Sequence, residues 1–249
     1  MGRVIVITSG KGGSGKTSVS AGLSCCLASL GHRVVCLDAD VGLRNLDVVL
    51  GLSDRAPLDF CDVILGAAEL DSALVNHPQL KTLWMLAAPA VPPAEQIDHR
   101  RMGELVNKLR ERFDYTIIDS PGGLGRGFAL AAAFADEALV VTTPDAVSLR
   151  DSQRTAELLD RMHIPARLIV NRVRPKLIAA RGMFNIDDSM DLTGLPLLGV
   201  IPEDETVIMS QNRGIPVIFE EHTGAALAYM NITHRIEGHY VPIMKVKEL

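Results

Sequence analysis

Eight residues near the start of the chain carry its densest chemical signal: Gly10-Lys11-Gly12-Gly13-Ser14-Gly15-Lys16-Thr17. They fit G-x-x-x-x-G-K-[ST] and stand between the apolar run Val4-Ile5-Val6-Ile7-Thr8 and a long Ala/Ser/Leu segment. Strand, glycine turn and helix in that order form the setting in which such a loop holds phosphate. Backbone N–H groups free of bulky side chains can converge on phosphate oxygens, and the positive end of the following helix reinforces them. Lys16 is then placed for the β- and γ-phosphates and the Thr17 hydroxyl for Mg²⁺, with Ser18 completing the phosphate-facing set. A flexible glycine turn is the blander alternative, but the flanking pattern speaks against it. The loop reads as a nucleoside triphosphate site.

Polar residues at the ends of later apolar runs belong to the same chemistry. Asp38 and Asp40 close Arg33-Val34-Val35-Cys36-Leu37-Asp38 and its turn, and a carboxylate there can support the Mg²⁺ shell or orient an attacking water. Asp119 follows Tyr115-Thr116-Ile117-Ile118 and precedes Ser120-Pro121-Gly122-Gly123, the Walker B arrangement. Such an acid reaches Mg²⁺ usually through water, because the ion gives up its hydration shell reluctantly. Asn171-Arg172 ends Leu168-Ile169-Val170, and Pro202 lies in Gly199-Val200-Ile201-Pro202-Glu203-Asp204. An amide can donate to and accept from adenine at once. No N-K-x-D follows, so ATP is favoured over GTP.

These positions need a scaffold that gathers strand ends. Apolar strands at 4–8, 33–38, 82–87, 115–119, 137–143, 166–171 and 197–201 alternate with helices at 18–30, 95–113, 147–162, 203–213 and 223–236. Continuous apolar strands separated by helices predict an α/β fold with a doubly wound, mostly parallel sheet flanked by helices. Ligands of such sheets sit at the carboxyl ends of the strands. Residues 1–237 read as one domain and 238–249 as a short tail.

Composition limits the classes. The 249 residues are 47% hydrophobic with a formal charge of −5, and a pI near 5.8 argues against a broad nucleic-acid surface. No apolar run reaches the roughly 18–20 residues that span a bilayer. Arg3 leads straight into a strand with no secretory pattern, and Val6 breaks a myristoylation motif. Cys25, Cys26, Cys36 and Cys61 lack metal spacing and read as buried, reduced thiols of a cytoplasmic protein. In that compartment Asn231-Ile232-Thr233 is a glycosylation sequon in form alone.

Lys11, inside the loop and five residues before Lys16, narrows the reading. Together with the strand-end residues it resembles the MinD/ParA family of deviant Walker A P-loop ATPases, from Arg3 to about Ile236. The resemblance implies a homodimer in which Lys11 reaches the partner's ATP, so that Lys11, Lys16 and Asp40 are catalytic. It places Asp40 on the hydrolytic water, Asp38 with Mg²⁺ or the loop, Asn171 on the base with Arg172, and Pro202 in the pocket wall. Gly42-Leu43-Arg44-Asn45-Leu46-Asp47, Val147-Ser148-Leu149-Arg150-Asp151-Ser152 and Gly199 to Asp204 are similar to the septum-site-determining branch of the family. They make Arg44, Arg150 and Asp151 candidate contacts for MinC-like and MinE- or DivIVA-like partners. An anionic membrane surface is implied too, although Ile243, Val246 and Leu249 give the tail only one weak apolar face. Gly125-Arg126 departs from the branch, which commonly has Glu there. The alternatives are a ParA-type ATPase acting on DNA, disfavoured by the acidic balance, a flagellar-number ATPase, and a metallocluster-loading ATPase, disfavoured by the missing Cys pair.

Overall fold

Along the first strand the side chains part by alternation, Ile5 and Ile7 into one core cluster, Val4 and Val6 into the other. Every inner strand behaves this way, because a strand covered on both faces must be apolar at both phases of its period of two. The computed structural model describes residues 1–92, 97–220 and 224–244. Its strands are β1 (Arg3–Thr8), β2 (Val34–Asp38), β3 (Val75–Asn76), β4 (Leu83–Leu86), β5 (Tyr115–Asp119), β6 (Glu137–Thr142), β7 (Ala166–Val173) and β8 (Leu197–Pro202). They form a sheet in the order β3-β4-β2-β5-β1-β6-β7-β8. All pair in parallel except the two-residue β3, which is antiparallel to β4 at the edge.

The helices are α1 (Lys16–Ser29), α2 (Leu46–Val49), α3 (Phe60–Ile64), α4 (Leu70–Ala73), α5 (His99–Arg112), α6 (Arg126–Ala132), α7 (Ala146–Arg161), α8 (Pro175–Ala179), α9 (Ile186–Thr193), α10 (Glu205–Asn212) and α11 (Gly224–Ile236). The doubly wound expectation holds, with helices on both faces. α1 is buried without a break from Val19 to Ala28, held between the sheet and α11. Its small residues permit this: a Cβ on Gly22 would lie 2.8 Å from the Tyr229 ring of α11. α5 instead buries a single stripe, Met102, Leu105, Val106 and Leu109, after Asp98 caps its start.

The structure corrects the element list in the middle of the chain. α2, α3, α4, α6, α8 and α9, and the edge strand β3, fill stretches where no element is expected from the sequence. α3 has a reciprocal capping box between Asp59 and Asp62, and α9 one between Asn185 and Asp188. Those pairs supply the hydrogen bonds that such short helices lack internally. The expected helices at 95–113 and 223–236 begin at His99 and Gly224, and residues 95, 96 and 223 lie outside the described residues.

After α11 the chain is not helical through Met244. Arg235 ties it down, donating from Nε to the Val241 carbonyl (2.9 Å), from Nη2 to Pro242 (2.6 Å) and from Nη1 to Leu198 of β8 (3.0 Å). The expected apolar face of the tail falls partly outside the described residues, at Val246 and Leu249. Among the described residues no helix is long and apolar enough to cross a membrane.

Candidate nucleotide-binding site

β1 and β5 are neighbours, so the loop leaving β1 and the acid ending β5 share one edge of the sheet. The glycines of the 10–17 loop serve two different purposes. A Cβ on Gly12 or Gly13 would meet nothing within 4 Å, so the space in front of these two exposed glycines is open. Gly10 and Gly15 are packed instead. A Cβ on Gly10 would lie 2.3 Å from the Asp151 carbonyl oxygen of α7, and one on Gly15 2.4 Å from Asn171 Nδ2. Gly15 also has φ 91°, a left-handed value that any side chain would strain.

Lys16 opens α1 and is buried at 7% exposure, with no ion pair among the described residues. A nearly buried ammonium that feels the Asp40 and Asp119 carboxylates but makes no close ion pair with them suits a site built for phosphate. Thr17 Oγ1 donates to Asp119 Oδ2 at 2.7 Å, and Ser20 Oγ donates to Asp119 Oδ1 at 2.8 Å. Burial pushes the Asp119 carboxyl up to about 6, against these two donors and the charge of Lys16. An acid pushed above its usual value of about 3.9 costs the ligand-free fold stability as pH rises through the shifted value.

Hydroxyl and carboxylate oxygens are hard donors of the kind Mg²⁺ takes. Among the described residues no group of three His, Cys, Asp or Glu could hold a metal. A cation bound mainly by phosphate and water asks the protein for no more than this pair. The residues present therefore fit Mg²⁺.

Asp38 is turned to the loop. Its Oδ1 accepts from the Asp40 amide (2.9 Å) and its Oδ2 from the Leu46 amide (3.2 Å), so it braces the segment between β2 and α2. Burial is the main cause that raises its carboxyl to about 7. Asp40 is half-buried, and burial raises its carboxyl too while the charge of Lys16 opposes. The two charges are therefore near enough to interact.

Asn171, 5% exposed, is committed to the loop: Nδ2 donates to the Ser14 carbonyl at 2.8 Å, and Oδ1 accepts from the Arg172 amide at 2.9 Å. Arg172 is exposed at φ 55°, and Pro202 is buried opposite Val173 in the β7–β8 register. Asn171→Ala is therefore expected to weaken ATP, GTP and inorganic tripolyphosphate together, by about tenfold for a lost buried hydrogen bond. Competition binding with the three ligands checks this. Loss confined to ATP would mark the amide as a reader of the base alone.

Lys11 departs from the other site residues. Its side chain is 39% exposed, and Nζ lies 3.8 Å from Asp145 Oδ1. Asp145 caps α7, accepting from the Ser148 amide at 3.0 Å. Burial works against its charge, but hydrogen bonds from Thr143 and Ser148 and the Lys11 ammonium carry its carboxyl below the usual range. Of the candidate partner contacts, Arg150 is exposed on α7. Asp151 presses its backbone on Gly10, and its carboxylate lies 3.9 Å from Arg154. Arg44 is turned inward, pairing with Asp47 at 2.8 Å and donating to the Ala56 carbonyl. In this structure it is spent on its own loop.

Sequence reasoning missed three residues of the site: Ser20, Asp145 and Gln211, whose Nε2 donates to Ser18 Oγ at 2.5 Å. Ser20 was legible from its spacing, three residues after Thr17 on one helix face. Asp145 and Gln211 reach the loop only through the fold.

A strand, phosphate loop and helix, with a buried acid across the loop, define a P-loop nucleotide-binding protein. The family model for the CobQ/CobB/MinD/ParA nucleotide binding domain matches residues 5–217. The septum site-determining protein MinD of Synechocystis is 43% identical over 246 residues, 98% of this chain and 92% of its own length. MinD in the MinC:MinD cell division complex of Aquifex aeolicus superposes with a TM-score of 0.91 at 36% identity, covering 98% of each chain. The Pyrococcus horikoshii septum site-determining protein MinD complexed with Mg-ADP gives 0.85 at 31%, covering 95% of this chain and 96% of that one. The chain belongs to the MinD/ParA family of P-loop ATPases. Its place within the family is with the MinD-type division-site ATPases, and the DNA-partitioning and flagellar alternatives are not favoured.

Proposed function

We propose that the chain is an ATP-dependent dimerising switch, hydrolysing ATP to ADP and phosphate with Mg²⁺ and recruiting partners when dimeric. The observation that carries this reading is Lys11: a loop lysine that is half-exposed and held, among the described residues, by one loose ion pair. An exposed pair of this kind is worth at most about 1 kcal/mol. Lys11 can therefore leave Asp145 for the phosphates of a second copy at little cost.

In this reading the loop amides and Lys16 hold the β- and γ-phosphates, and Asn171 keeps the loop in shape behind them. Asp40 accepts a hydrogen bond from the water that attacks the γ-phosphorus and orients it in line. Thr17 and, through water, Asp119 would hold Mg²⁺, which when bound supplies positive charge to the phosphate oxygens. Lys11 of the second copy adds charge as the terminal phosphate departs, so turnover depends on the dimer.

The Gly10–Asp151 contact links the loop to α7, so a shift of the loop on ATP binding would be felt on the face that carries Arg150. Because the Aquifex relative was solved with MinC, we infer a MinC-like partner on this face of the dimer, with a MinE- or DivIVA-like protein there as regulator. Gly10→Ala would force these backbones apart, and overpacking costs about 1–3 kcal/mol. It is expected to lower the melting temperature and weaken ATP-dependent partner capture, read by calorimetry and pull-down.

We further infer a cytoplasmic protein peripheral on the membrane. Co-sedimentation with anionic liposomes or with DNA, each in ATP and in ADP, tests the reading. Pelleting with liposomes in ATP is expected; ATP-dependent pelleting with DNA and not with lipid would overturn it.

A further inference from the structure

Asp119 is gripped by two hydroxyls from a single face of α1. Thr17 takes Oδ2 and Ser20 takes Oδ1, at 2.7 and 2.8 Å. Thr17 belongs to the phosphate-loop motif; Ser20 does not. Ser20 has no exposed surface, and Asp119 is 2% exposed, so water does not compete for this bond. A carboxylate held by one oxygen alone can still turn about its Cβ–Cγ bond. Held by both, it keeps one plane.

We propose that Ser20 is a positioning residue for the Mg²⁺-bound nucleotide: by fixing Asp119 Oδ1 it keeps Oδ2 beside the Thr17 hydroxyl, facing the water shell of the cation. This rests on the Mg²⁺-nucleotide reading above. Outer hydrogen bonds of this kind orient the groups nearer a metal, and removing one costs about 10–100-fold in metal affinity or activity. Ser20 is fully buried with its hydroxyl spent on Asp119, so its loss should appear in the contribution of the cation to binding.

The test is equilibrium binding of a fluorescent ADP analogue to the full chain, in Mg²⁺ and in EDTA. Wild type should bind more tightly in Mg²⁺; if it does not, the Mg²⁺-nucleotide reading itself fails. Ser20→Ala should keep its EDTA affinity within about twofold and lose about tenfold of the gain from Mg²⁺. Ser20→Thr, which keeps the hydroxyl, should recover most of that gain. An undiminished gain in Ser20→Ala, or an equal loss in EDTA and Mg²⁺, would overturn the proposal. Should the alanine variant fail to fold, Ser20→Cys, nearly isosteric with a poor donor, is judged by the same ratio.

Discussion

Lys11→Ala is expected to give a folded monomer that binds ATP and no longer pairs in response to it. The fold should tolerate the change, because the side chain is 39% exposed and its one ion pair among the described residues is long. The thermal midpoint should move by no more than an exposed pair implies, under about 1 kcal/mol. Turnover should suffer far more. A cationic side chain supplied across an interface to a departing phosphoryl group is worth about 10³–10⁵ in rate. Stimulated hydrolysis should therefore drop at least about 10³-fold, while affinity for ADP, a ligand that needs no second subunit, stays near wild type. Steady-state phosphate release and nucleotide titration measure the two quantities. A variant that hydrolyses normally would place Lys11 outside the chemistry.

Asp40→Ala has the second largest expected effect, of opposite character. The Asp40 carboxyl feels the charge of Lys16, and its backbone amide is anchored by Asp38, so the loop should survive loss of the side chain. Without a carboxylate to orient the water, hydrolysis should slow by about 10²–10⁴-fold, the usual worth of positioned general-base groups. ATP binding and the ATP-bound dimer should persist and even accumulate, since the step that dissolves the dimer is blocked. Single-turnover hydrolysis and nucleotide affinity, measured on one preparation, separate the two. If Asp40→Ala lost ATP binding along with turnover, the carboxylate would be holding the loop and not the water.

The sheet was readable in the sequence because of where it lies. β1, β2, β5 and β6 are buried on both faces, so their apolar character survives any change in surroundings. The phosphate loop and Asp119 were readable because local geometry dictates their residue types. α2, α3, α4 and α8 were not, since each has only four or five residues and depends on caps and neighbours for hydrogen bonds. Side-chain commitments were harder still. Nothing in the spacing says that Arg44 turns inward to Asp47, that both Asp38 oxygens are taken by the following loop, or that Asn171 holds the Ser14 carbonyl. Those outcomes depend on which strand ends become neighbours, and the sheet order decides that.

The proposed switch requires that ATP, and not ADP, join two copies of this chain through Lys11. Light scattering on Asp40→Ala with Mg²⁺ and either nucleotide tests it most directly, because blocked hydrolysis keeps the ATP state present throughout. A mass near that of one 26.9 kDa chain is expected with ADP and about twice that with ATP, the increase vanishing when Lys11→Ala is added. The same mass in both nucleotides, or a dimer that persists without Lys11, would contradict it.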